Sequence, residues 1–253
     1  GGDKKSTQKI SAVFSNVSSP KFFVSLAEAE ISKHAANIFV AMSVSFVSEL
    51  TKFSKKFNVN LEKIGAILRL DKRVGPKSYV MPGLGFSGTV ERDIKVLINE
   101  AKKIKTKLPL FESIIAVNNA HNRFIETELS KRFKNFKNKK ISFLGATYKP
   151  FTSNMRGSLI APLMKKLESR GAKVLLFDPL VEDNNYKVKT ISEAFANADA
   201  IIIAVGKKDF KEAPYQKLIS LMKKKIIIDA ANMFTKEDAK KLKVDYSSIG
   251  RGD

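Results

Sequence analysis

The chain has 253 residues, of which 43% are hydrophobic, so it can bury the core of one large domain or of two ordinary ones. The sequence contains no Cys, which excludes disulfides and thiolate metal sites among these residues. No apolar run approaches the length that spans a bilayer, and no signal-peptide pattern opens the sequence. We therefore expect a soluble, cytoplasmic protein without a membrane partner.

The charge is strongly positive, with 46 Lys and Arg against 25 Asp and Glu and a net charge of +21. These basic residues are spread along the whole chain, as in the run KRFKNFKNKK, without zinc-finger spacing, an RNA-recognition motif or a basic arm. Diffuse positive charge is more often a solvated surface, or an attraction for small polyanions, than a surface that reads a groove. We do not expect a nucleic-acid partner, although a steep salt dependence of binding to arbitrary DNA would support one.

The first half of the chain has the pattern of helices. Residues 1–28 begin with a Gly pair and a short amphipathic stretch, without a strand followed by a Gly-rich turn. From Ala29 to about Asn58 apolar residues recur near helical spacing, which predicts one helix of roughly 45 Å, long enough for two subunits to pair along it. A short helix is predicted at 61–70, then a loop rich in Gly and Pro. Further helices are predicted at about 91–105 and 110–136.

The periodicity changes after Lys139. The runs KKISFLG, AKVLLFD, ADAIIIAV and KKIIIDA are short and continuously apolar, and helical or turn segments separate them. This pattern is typical of parallel strands that are buried on both faces. It predicts a doubly wound α/β domain over residues 138–253, preceded by a helical domain over residues 29–137.

Two glycine-containing or polar patterns could carry function. GLGFSG at 83–88 matches the spacing of a dinucleotide fingerprint, but it follows Pro82 within helical sequence, and such a fingerprint should follow a buried strand. We therefore interpret it as a flexible glycine loop. Lys33 and Asn37 are four residues apart, so both project from one helix face. Alone, this pair would be an exposed Lys beside an interior Asn, and Asp93 would be a carboxylate favoured at a helix start.

Three stretches taken together carry a stronger signal: AEISKHAAN at 29–37, DKRVGPKSYVMPGLGFSGTVERD at 71–93 and KISFLGATYKPFTSNMRGS at 140–158. In this order they resemble the UDP-glucose/GDP-mannose dehydrogenase family, and its UDP-glucose branch more than its N-acetylmannosamine branch. The resemblance implies a helical dimerisation domain followed by a Rossmann-like nucleotide-sugar domain. It also implies a preceding NAD domain, of whose end residues 1–28 would be a remnant.

The family oxidises C6 of its nucleotide sugar twice with two NAD+, converting UDP-glucose to UDP-glucuronate. The resemblance therefore implies UDP-glucose as ligand, NAD as cofactor and a homodimer formed through the helix of 29–58. It assigns catalytic roles to Lys33, Asn37 and Asp93, the last if a one-residue deletion follows Val90. It assigns substrate contacts to Arg73, reaching into the partner subunit's site, and to Tyr79, Met81, Gly83, Gly85, Phe86, Ser87, Tyr148 and Lys149. Arg92 and Arg156 would contact the cofactor.

The sequence departs from the family pattern at positions that the family uses for catalysis and for substrate binding. Val90 stands where the family has the Cys that forms the covalent intermediate, and Ala231 stands where an Arg binds substrate phosphate; Ser87 replaces a Gly. We therefore expect a protein that is inactive or limited to one oxidation, and a dimeric nucleotide-sugar-binding protein without catalysis remains the alternative. His34 and His121 have no metal-ligand partner at useful spacing, so we interpret both as structural or exposed and predict no metal site.

Overall fold

The structure is a computed structural model that describes residues 2–148, 151–182 and 185–252. Its first half is helical: α1 (Lys4–Val13), α2 (Leu26–Phe57), α3 (Leu61–Leu70), α4 (Thr89–Lys103), α5 (Pro109–His121) and α6 (Phe124–Arg132). Its second half alternates strands and helices: β1 (Lys140–Leu144), α7 (Ile160–Ser169), β2 (Lys173–Phe177), α8 (Ile191–Phe195), β3 (Ala200–Ile203), α9 (Lys208–Lys211), α10 (Tyr215–Ser220), β4 (Ile226–Asp229), α11 (Lys236–Leu242) and β5 (Asp245–Ser248).

Helix α2 has 32 residues and confirms the predicted long helix. It begins with a capping box, in which the Ser25 side chain accepts from Glu28 N–H and the Glu28 carboxylate accepts from Ser25 N–H. It ends at Asn58, whose left-handed backbone (φ 49°) stops the helix. Ile38 and Ala41 pack with α4 and α5. In contrast, α1 buries none of its residues.

The single helix predicted at 110–136 is wrong. Helix α5 ends at His121, and α6 occupies Phe124–Arg132. The interruption includes Asn122, whose side-chain oxygen accepts a hydrogen bond from Gly85 N–H. After Arg132 the chain leaves the helix, and Phe133 and Phe136 of the following segment are both buried in the core of the sheet.

Within the described residues, five parallel strands form one sheet in the order β2-β1-β3-β4-β5. This confirms the α/β class and the four predicted strands. Strand β5 was not predicted, because its sequence DYSS lacks the apolar run of a strand buried on both faces. The strand order reverses between β1 and β3, where open α/β sheets form a ligand-binding crevice at the strands' carboxyl ends.

The sheet has an apolar core on each face. One cluster contains Phe143, Ile202 and Ile228, and the other contains Ile201 and Ile227. The first cluster also includes apolar residues of α6, so the core of the sheet extends across the boundary predicted at residue 137. Among the residues that the structure describes, no helix has the length and apolar character needed to cross a membrane.

Candidate functional site

A cleft of about 470 Å³ lies between the loop that precedes α4 and the carboxyl edge of the sheet. Its volume is in the range of small-molecule sites, and its position matches the reversal of strand order between β1 and β3. The lining residues are Gly83, Leu84, Gly85, Phe86, Ser87, Val90, Thr147, Tyr148, Leu159, Ile160, Ala204, Val205, Gly206, Ala230 and Ala231. None of these described residues carries a charge.

The loop of residues 83–88 joins helical elements and follows no strand, in agreement with the interpretation that it is not a dinucleotide fingerprint. Residues at the C-terminal end of α5 hydrogen-bond to this loop. Asn118 hydrogen-bonds to both backbone groups of Phe86 at 2.9 Å, and Asn122 accepts from Gly85 N–H at 2.9 Å. On its other side, Ser87 Oγ donates to the Gly157 carbonyl at 2.5 Å, which links the loop to the α/β half.

The three residues predicted to be catalytic come together. Lys33 and Asn37, on one face of α2, both donate to Oδ2 of Asp93 on α4, and the Asn37 bond measures 2.6 Å. Asp93 is fully buried, whereas the Lys33 side chain is half exposed. Burial alone would raise the pKa of Asp93, but the hydrogen bonds from Lys33 and Asn37 outweigh it and lower that pKa to about 2. Asp93 is therefore ionised at neutral pH.

His34 joins this cluster, which the sequence analysis missed. Its Nδ1 lies 3.4 Å from Asp93 Oδ1, and Arg92 Nη2 lies 3.6 Å from the same oxygen. The available signal was spacing, since His34 precedes Asn37 by three residues and shares its helix face. Val90 lies one turn before Asp93 on α4 and lines the cleft, so the cluster is adjacent to the cleft.

The structure places the predicted substrate residues in two groups. Those that line the cleft are Gly83, Gly85, Phe86, Ser87 and Tyr148. Those that do not line it are Arg73, Tyr79 and Met81. Lys149 lies outside the described residues. The substrate roles of all these residues stay predictions.

The predicted arginines are exposed. Arg73 is exposed over 89% of its side chain and forms a bidentate pair with Asp71, at 3.0 Å and 2.7 Å. Arg92 and Arg156 are also exposed. A guanidinium held in this way can meet a ligand or a partner without large desolvation.

Most of the α/β side of the cleft was not predicted. Thr147, Ala204, Val205, Gly206 and Ala230 follow the carboxyl ends of β1, β3 and β4. The rule that parallel sheets bind ligands at these ends would have selected them. Their side chains are small and carry no chemical signal of their own, which is why residue type alone did not.

Two family models match the chain. The model of the central domain of the UDP-glucose/GDP-mannose dehydrogenase family matches residues 27–120, and that of the family's UDP binding domain matches residues 142–236. UDP-glucose 6-dehydrogenase of Rhizobium meliloti (strain 1021) is 30% identical over 244 residues, which are 93% of this chain and 56% of that protein. UDP-glucose 6-dehydrogenase YwqF of Bacillus subtilis (strain 168) is 27% identical over 98% of this chain and 58% of its own length.

Solved structures agree on the fold. A UDP-glucose dehydrogenase from Pyrobaculum islandicum superposes with a TM-score of 0.83 at 24% identity, over 98% of this chain and 56% of that one. A UDP-D-ManNAc dehydrogenase from Pyrococcus horikoshii gives 0.84 at 22% identity, over 99% and 58% of the two chains. The chain thus spans somewhat more than half the length of the relatives that it matches. By sequence and by fold, it belongs to the UDP-glucose/GDP-mannose dehydrogenase family.

Proposed function

We propose that this chain binds a nucleotide sugar, UDP-glucose in the first place, in the cleft between the glycine loop and the sheet. The observation that carries the proposal is the convergence of Lys33, Asn37 and ionised Asp93 beside a cleft at the carboxyl ends of the strands. The family's UDP binding domain supplies that sheet edge. A site of this shape and size suits a nucleotide sugar.

The cluster suits oxidation of an alcohol. A cationic Lys33 and the Asn37 amide can stabilise negative charge that develops on the C6 oxygen of the sugar. Asp93 holds both donors in place. Bound NAD+ would supply the hydride acceptor, and the exposed guanidinium groups of Arg92 and Arg156 are suited to its pyrophosphate.

Val90 limits this chemistry to one step. In that step Lys33 and Asn37 would hold the C6 oxygen as its hydroxyl proton leaves to solvent, bound NAD+ would accept the hydride, and an aldehyde would remain. A second hydride transfer through a thiohemiacetal needs a thiol, which Val90 lacks. We propose that the protein either releases or holds an aldehyde, or binds the nucleotide sugar without turnover.

We further propose that two copies pair along α2. Phe39, Phe46 and Phe53 lie seven residues apart on this helix and are exposed by 66%, 51% and 51%. Three large aromatic side chains on one face are costly to leave in water, and a second copy of the same helix would cover them. Sedimentation of Phe46→Glu should give a monomer. Lys52→Glu, on the same helix, should stay dimeric.

Calorimetric titration with UDP-glucose, GDP-mannose and UDP tests the binding proposal. The substitution Ala231→Arg would place a guanidinium on the uncharged cleft wall, where the family binds phosphate. We expect binding of UDP-glucose to tighten by roughly tenfold, because a charge-assisted hydrogen bond contributes about 1.5 kcal/mol or more. Ala231→Met has similar length without charge and should not tighten binding. Absence of binding by both the original chain and Ala231→Arg would refute the proposal.

Turnover is tested on the full-length protein with NAD+ and UDP-glucose. We expect at most one NADH per sugar, with an aldehyde that an alkoxyamine traps. Val90→Cys should raise the yield toward two NADH. Two NADH from the original protein would contradict the role given to Val90, and no NADH from either protein would favour binding without catalysis.

A further inference from the structure

The last turn of α5 hydrogen-bonds to the glycine loop of residues 83–88. Asn118 is buried there, and its Oδ1 accepts from Phe86 N–H while its Nδ2 donates to the Phe86 carbonyl, both at 2.9 Å. The orientation of the amide follows from chemistry, because a backbone N–H only donates and a carbonyl only accepts. Both ends of one side chain are thus used to hold one residue of the loop.

Two neighbours extend this attachment. Asn122 lies one turn beyond Asn118, and its Oδ1 accepts from Gly85 N–H at 2.9 Å. His121 Nε2 lies 2.7 Å from the Gly83 carbonyl, so this nitrogen carries a proton. Burial lowers the pKa of His121, which keeps the ring neutral at neutral pH. We call Asn118, His121 and Asn122 the clasp.

The clasp explains why two glycines of the loop differ. A Cβ at Gly85 would stand 2.1 Å from Asn118 Oδ1 and 2.8 Å from Asn122 Oδ1, so Gly85 must lack a side chain to lie under the clasp. A Cβ at Gly83 would meet no atom within 4 Å. Gly83 therefore borders open space, whereas the lack of a side chain at Gly85 lets the loop pack closely against α5.

We propose that Asn118, His121 and Asn122 are positioning residues, which fix residues 83–86 in the shape that receives the ligand before the ligand arrives. A glycine-containing loop without such contacts would be ordered only on binding, and that loss of entropy would weaken affinity. The identity of the ligand rests on the proposed function. The clasp itself rests on contacts within the protein.

Amide hydrogen exchange, measured by NMR on the ligand-free protein, tests the clasp residue by residue. We expect Asn118→Ala to speed exchange at Phe86 by at least tenfold, and Asn122→Ala to do so at Gly85. Asn119→Ala is the matched control, because Asn119 lies on the same helix with its side chain exposed. If Asn118→Ala fails to fold, Asn118→Leu keeps nearly the same volume and removes both hydrogen bonds to Phe86, so exchange at Phe86 should still rise.

The second measurement is the affinity for UDP-glucose, which we expect to fall about tenfold in Asn118→Leu and in Asn122→Ala, and not in Asn119→Ala. Unchanged exchange at Phe86 and Gly85 would overturn the clasp. Faster exchange with unchanged affinity would overturn its positioning role. If the original protein binds no nucleotide sugar, the proposed function fails, and the exchange pattern still decides whether the clasp holds the loop.

Discussion

The two sides of the cleft are built differently. On the helical side, the buried carboxylate Asp93 is held by side chains of another helix, Lys33 and Asn37. On the α/β side, the buried carboxylate Asp178 accepts from its neighbouring backbone, Ala146 N–H at 3.1 Å and Leu180 N–H at 3.0 Å, and pairs with Lys207.

The two buried carboxylates support different parts of the site. Asp178 binds the turns at the ends of β1 and β2 to each other, and the wall that these turns support is uncharged. Asp93 instead holds a half-exposed Lys33, and Val90, one turn before Asp93 on α4, lines the cleft. On the function proposed above, the helical side would provide the reactive groups and the α/β side an uncharged wall.

The largest effect should come from Asp93→Ala. This change leaves Lys33 and Asn37 without their shared acceptor, and breaking a buried ion pair costs about 3–5 kcal/mol. Because Lys33 is half exposed, we expect about 3 kcal/mol in the free energy of unfolding, measured in urea. Glu91→Ala on the same helix breaks a pair with Lys95 nearer the surface and should cost less than about 1 kcal/mol. Equal losses would contradict the special position of Asp93.

The second largest effect on stability should distinguish Gly85→Ala from Gly83→Ala. Gly85→Ala forces a methyl group against Asn118, and we expect a loss of about 2 kcal/mol, since overpacking typically costs 1–3 kcal/mol. Gly83→Ala meets open space and should change stability by less than about 0.5 kcal/mol. Thermal and urea unfolding of the two variants measure this difference. The reverse order of losses would show that the clasp is not tight.

The sequence predicted some parts of the fold and of the site correctly and missed others. Helix α2 and strands β1 to β4 have strong periodic patterns, and the structure confirms them. The grouping of Lys33, Asn37 and Asp93 followed from the family resemblance, because residues 56 and 60 positions apart in sequence give no local signal. Asn118 and Asn122 were missed for a related reason: an Asn within a helix usually faces solvent, and only the packed loop shows its partner.

The pH dependence of stability compares Asp93 with Glu128 of α6. Burial tends to raise the pKa of Glu128, but hydrogen bonds from Lys131 and Arg132 lower it to about 2, the same value as for Asp93. Both pKa values lie below those of the same groups in an unfolded chain, 3.8 for Asp93 and 4.5 for Glu128. Each carboxylate therefore contributes full stability above about pH 5, and this contribution is lost as the pH falls toward 2.

Urea unfolding between pH 5 and pH 2 measures this loss. We expect the slope with pH to decrease in Asp93→Asn and in Glu128→Gln, by at most about 1.4 kcal/mol per pH unit for each group. An unchanged slope in Asp93→Asn would mean that its pKa is not depressed in the folded protein.

The smallest effect concerns Ser87, whose hydroxyl joins the two sides of the cleft through the Gly157 carbonyl at 2.5 Å. Ser87→Ala removes one hydrogen bond at a partly exposed position, and we expect a loss of about 1 kcal/mol in the free energy of unfolding. Ser220→Ala removes a bond of similar length, 2.7 Å to the Lys217 carbonyl, within one helix of the α/β half. The two variants should lose similar stability, but only Ser87→Ala should weaken nucleotide-sugar binding, because only Ser87 fixes one wall of the cleft against the other. Equal affinity in both variants would mean that packing alone sets the distance between the two walls, at the point where Gly88 and Gly157 lie so close that a Cβ added to Gly157 would stand 3.2 Å from the Gly88 Cα.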